Sequence, residues 1–120
     1  MPKATSRTSR SAPRKRARAA AASVAYEPWL IEQLKEPAEA AAYLEAVIEE
    51  GNQAALMLAL RQVAQAQGGV SQIARKAKLT REATYKMLSK SGNPELRSLN
   101  AVLAATGLRL AVRPIEKRNG

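Results

Sequence analysis

The side chains with chemistry to offer in this 120-residue chain are bases, amides and hydroxyls. It has no cysteine and no histidine, and all ten of its acids are glutamates. Zero cysteine excludes disulfides, thiolate zinc sites and a thiol nucleophile. Without histidine the commonest metal ligand and the usual general base are missing as well. No pair of glutamates and lysines has a spacing that demands a catalytic site, so neither an enzyme nor a metal or cofactor centre is expected. What stands out is a run of bases between 71 and 90, where Arg75, Lys76, Lys78, Arg81, Lys86 and Lys90 face Glu82 alone. Basic side chains neutralise phosphates, arginine bonds guanine through two N–H groups, and glutamate accepts from the cytosine amino group. The chemistry available is recognition of double-stranded DNA.

Such groups read a duplex only if an element holds them in place. Ser71 is a good N-cap for a helix running to about Lys78, a tight break follows at 78–80, and Thr80 caps a second helix over about 81–90. Two short helices around a tight turn make a helix-turn-helix unit. The small Ala74 and Ala77 let the helices approach, and Ile73, Leu79, Thr84 and Leu88 are expected to face inward. Arg81, Glu82, Tyr85 and Lys86 are then left on the outer face of the second helix. Recognition helices offer base contacts from their N-terminal turns, which makes these four the candidate base contacts. Gln72, Lys76, Lys90 and Asn93 are candidate phosphate contacts, which fix register without reading sequence. Plainer readings stand beside these: a solvated face of an ordinary bundle, Tyr85 as partial core packing, and Glu82 as a complement to the helix dipole.

The remaining segments suggest what surrounds the hairpin. Residues 1–26 carry seven bases and no acid, residues 27–50 seven glutamates against Lys35, and residues 51–120 twelve bases against three glutamates. Residues 1–23 read as a disordered basic arm, which either attracts phosphate nonspecifically or is an unconstrained extension. Residues 24–51 read as an acidic helical extension, with Pro28 opening a short helix and Pro37 starting a second that Gly51 ends. Residues 52–107 read as the DNA-binding domain: a helix over about 53–67 stopped by Gly68 and Gly69, the hairpin, and a last helix with Asn93 as N-cap and Pro94 in first position. Leu108, Leu110 and Val112 alternate with Arg109, Ala111 and Arg113 until Pro114, the period of a half-buried strand. The chain offers no second strand, so 108–114 is expected to pair with its symmetry mate in a homodimer. Residues 115–120 read as a disordered tail. No run approaches the ~18 apolar residues of a membrane span, so no membrane partner is expected and a cytoplasmic location is.

From Tyr26 to Val112 the chain resembles the probable addiction-module antidote proteins, HigA-like antitoxins with a helix-turn-helix of the phage-repressor type. The motifs that carry the resemblance are Glu36-Pro37-Ala38-Glu39-Ala40-Ala41-Ala42-Tyr43-Leu44, Ile48-Glu49-Glu50-Gly51-Asn52, Ser71-Gln72-Ile73-Ala74-Arg75 and Leu79-Thr80-Arg81-Glu82-Ala83. They continue through Tyr85-Lys86, Gly92-Asn93-Pro94-Glu95-Leu96 and Thr106-Gly107-Leu108-Arg109-Leu110. Each is weak alone; their combined order is specific. The resemblance implies an all-α, lambda-repressor-like bundle with an N-terminal helical extension and a short C-terminal strand. It also implies a dimeric antitoxin that neutralises a RelE/ParE-like toxin and represses its own operon at a palindromic operator. Thr84 departs from the family, which usually has Leu or Ile there, a change expected to loosen the packing of the recognition helix.

That reading gives the acidic block a task. A segment of net charge −6 suits a basic toxin, with Glu36, Glu39 and Glu49 among the expected contacts (Glu32, Glu45 and Glu50 also qualify) and Trp29, Leu30 and Tyr43 as apolar anchors. Two alternatives remain: a prophage-type transcriptional regulator without a toxin, and a nonspecific nucleic-acid-binding protein driven by the net charge of +10.

Overall fold

A computed structural model describes residues 27–116. The expected basic arm 1–23 lies outside the described residues, as does 117–120 of the expected tail. Among the described residues are six α-helices: α1 (Glu27–Gln33), α2 (Pro37–Glu50), α3 (Gln53–Ala66), α4 (Val70–Ala77), α5 (Arg81–Met87) and α6 (Leu96–Ala105). No helix among them is long and apolar enough to cross a membrane.

Helices α2 and α3 start and stop where local chemistry directs. Pro37 occupies the first turn of α2, where a missing N–H is harmless, and Gly51 closes that helix at φ 75°. Asn52 caps α3, its side chain accepting from the Ala55 N–H at 2.9 Å. Gly69, at φ 104°, serves two helices. Its N–H donates to the Ala64 carbonyl at the end of α3, and its own carbonyl accepts from the Ile73 N–H in α4. The expected Ser71 cap is therefore corrected: α4 begins at Val70 with Gly69 as N-cap. A glycine that closes one helix leaves the chain already turned for the next, two residues earlier than a cap at Ser71 would start it.

Two helix ends also differ from the sequence reading. α5 stops at Met87 rather than near 90, because Ser89 turns the chain by donating from both its N–H and its hydroxyl to the Lys86 carbonyl. α6 starts at Leu96, with Glu95 rather than Asn93 at the N-cap and its first bond running from the Leu99 N–H to the Glu95 carbonyl. The cause lies at Gly92, which is buried beneath the end of α5 and whose carbonyl accepts from Gln53 Nε2 at 3.0 Å. The chain has to run extended out of that pocket before it can coil, so Asn93 and Pro94 precede the helix.

One apolar cluster joins the acidic helices to the rest. Leu30 and Leu34, then Ala40, Leu44 and Val47 of α2, meet Met57, Leu60 and Val63 of α3, with Leu88 and Leu103 closing the far side. A smaller cluster of Ala64, Ile73 and Val102, flanked by Val70, Leu79 and Met87, lies under the α4–α5 pair. Past α6, Leu108 still packs on the main core. Beyond it the chain is exposed: Leu110 by 40%, Val112 by 97% and Ile115 by 90%. Residues 108–116 form no regular element within the single chain, since a strand requires a partner for its backbone N–H and C=O groups.

Candidate nucleic-acid interface

Helices α4 and α5 form the expected hairpin, and the turn between them rests on an uncommon conformation. Lys78 adopts the left-handed region at φ 61°, ψ 40°, which lets the Leu79 N–H donate to the Ala74 carbonyl at 2.9 Å and close α4. The chain then re-enters a helix at Thr80, whose hydroxyl oxygen accepts from the Ala83 N–H at 3.0 Å. Ile73, Thr84 and Leu88 are buried and Leu79 half-buried, as the inward positions require. The Thr84 hydroxyl is satisfied in place, donating to the Thr80 carbonyl at 2.8 Å. The departure from an aliphatic residue thus leaves no orphaned polar group inside.

The outward face carries the four candidate base readers. Arg81, Glu82, Tyr85 and Lys86 are all exposed, and Tyr85 at 47% is not a core residue. Arg81 and Tyr85, one turn apart, meet: the guanidinium carbon lies over the tyrosine ring, 5.8 Å from its centroid.

The candidate phosphate contacts are distributed differently. Gln72 is half-buried and accepts from Arg75 at 3.3 Å. Lys90 and Asn93 are exposed on the loop after α5. Lys76, also exposed, lines a shallow depression between α4 and the end of α6, beside Lys78, Ala104 and Gly107.

Two residues that sequence reasoning passed over hold this loop. An Arg61 guanidinium N–H donates to the Leu88 carbonyl at the end of α5, and Gln53 holds Gly92. Both sit on α3, so the core helix fixes where α5 ends. A base and an amide on a helix carry no sequence mark of such a role; only the fold reveals it.

The acidic side divides into surface and core. Glu36, Glu39 and Glu49 are exposed, and Trp29 is 55% exposed. Leu30 is only 3% exposed. It belongs to the core, which corrects its expected place as an apolar anchor: the short α1 must bury one side, and Leu30, with Leu34 just past the helix end, is that side. Tyr43 is half-buried and its hydroxyl donates to Gln62 Oε1 at 2.7 Å, while Gln62 Nε2 donates to Glu27 Oε2 at 3.1 Å. Gln62, 1% exposed, thereby links α1, α2 and α3, another role the sequence does not announce.

Comparison with known proteins places these features in a family. The sequence model of the family described as "Probable addiction module antidote protein" matches residues 29–114. An uncharacterized protein of Haemophilus influenzae is 37% identical over 82 residues, which cover 68% of this chain and 84% of that protein. No solved structure matches.

Proposed function

The chain belongs to the family of probable addiction module antidote proteins, and on that premise we propose that it is the antitoxin of a toxin–antitoxin module that also represses its own operon. In this reading a cytoplasmic homodimer binds a palindromic operator through a lambda-repressor-like helix-turn-helix, and the acidic helices bind a RelE/ParE-like toxin. The observation that carries the DNA half is the capped helix α5, with Arg81, Glu82, Tyr85 and Lys86 all presented to solvent. The exposed Leu110 and Val112 beyond the anchored Leu108 support pairing between two copies. Symmetric half-sites should then lie about 34 Å apart or at multiples of that.

Footprinting on the DNA upstream of the gene tests the reading. A discrete palindromic footprint surviving moderate salt is expected; uniform salt-sensitive coating would instead identify a nonspecific nucleic-acid-binding protein. For the toxin half, the adjoining reading frame is co-expressed with the chain. Reversing the charges of Glu36, Glu39 and Glu49 is expected to abolish neutralisation and co-purification while leaving operator binding intact. Loss of both together would overturn the division of labour, and absence of any toxin gene would favour a prophage-type regulator.

A further inference from the structure

Resting on the operator-binding reading, we propose that Arg81 and Tyr85 act as one reading unit for guanine, in which Tyr85 is a positioning residue that holds the Arg81 guanidinium rather than a base contact in its own right. The guanidinium group has two separable surfaces. Its flat face takes a ring, and its edge carries the N–H donors. With Cζ over the Tyr85 ring at 5.8 Å, the face is occupied by an attraction that leaves the edge unoccupied by that contact. That edge matches guanine, which presents the O6 and N7 acceptors in the major groove; adenine places an amino donor beside its N7 and so opposes a second arginine N–H.

The pairing also addresses the weakness of a long reader. Arginine has large rotamer freedom, much of which is lost on docking to a base. Arg81 stands at the first position of α5 and Tyr85 four residues later, the spacing at which helix side chains meet. The ring therefore restrains the guanidinium before DNA arrives. Both side chains are exposed and make this contact on the outer face of α5, so its role is not to complete the core. The operator half-site should carry a guanine opposite the N-terminal turn of α5.

The test uses the full chain with Tyr85→Phe, Tyr85→Leu and Arg81→Lys. Each is selected against randomised duplexes and then titrated on the chosen site and on single G→A variants of it. Phenylalanine keeps the ring face, so Tyr85→Phe should retain the guanine preference. Tyr85→Leu should lower discrimination at that one position about five-fold, and Arg81→Lys should lower it at least as far. Equal loss in Phe and Leu would overturn the proposal by showing that the hydroxyl makes its own contact; unchanged discrimination in Leu would overturn it by showing the ring idle. Failure of the wild-type chain to select any sequence would remove the operator reading itself, an outcome distinct from both. Thermal melts of the three variants guard against misfolding, and Arg81 side-chain chemical shifts that move in Tyr85→Leu but not in Tyr85→Phe report the stack without DNA.

Discussion

At the scale of single residues, two positions have backbone requirements with opposite consequences for mutation. Gly92 is admitted for its lack of a side chain: a Cβ there would lie 2.0 Å from the Met87 carbonyl oxygen. Gly92→Ala forces the loop away from the end of α5 and should destabilise the fold by about 1–3 kcal/mol, the usual range for overpacking. A thermal melt that matches the wild type would refute this account of the loop. Lys78 presents the reverse case, a side chain where glycine fits better, because its φ of 61° crowds a Cβ against the carbonyl. Lys78→Gly should raise stability by up to about 1 kcal/mol, measured by chemical denaturation. If the fold instead weakens, the left-handed turn is not the conformation the hairpin uses.

At the scale of elements, helices are joined by a few polar bridges among apolar contacts. Tyr43, Gln62 and Glu27 tie α2, α3 and α1. Tyr43→Phe leaves the buried Gln62 Oε1 without its donor, a loss expected to cost about 1–3 kcal/mol; Tyr43→Phe combined with Gln62→Leu should be less damaging than the two costs summed, because both partners are then gone. Arg61→Met removes the donor at the end of α5 and should speed amide exchange around 87–92, leaving the start of α5 protected by its Thr80 cap. Much of this arrangement was legible beforehand, because Pro37, Gly51 and Thr80 act on their immediate neighbours and need no tertiary context; the Asn52 cap of α3 is equally local but was not read from the sequence. The outward placement of Arg81, Glu82, Tyr85 and Lys86 followed from the same local period. What stayed hidden depends on distant partners: the shifted start of α6 follows from Gln53 and Gly92, 39 residues apart. The burial of Leu30 follows from a core contributed by other helices. Spacing identifies an apolar side chain but not whether a partner already covers it.

At the scale of the molecule, the exposed segment past Leu108 has to be reconciled with the proposed two-fold operator. Leu108 is committed to the subunit's own core, whereas Leu110 and Val112 lie on the outside, and Arg113 is tied to Glu45 of α2 at 3.4 Å. A substitution beyond Leu108 therefore tests association without damaging the fold, as deletion of the whole segment would not. The double substitution Leu110→Lys with Val112→Lys adds charge to each of two edges that would pair. It should yield monomers by sedimentation equilibrium while the helical signal and its melt at low concentration remain those of the wild type. A monomer covers one half-site and neutralises half the phosphates, so the slope of log affinity against log salt should fall by about half. A dimer that persists with both lysines in place would locate the contact elsewhere on the molecule. A monomer with the full salt slope would mean that the operator is read by a single copy, its basic groups spread across both halves of the site.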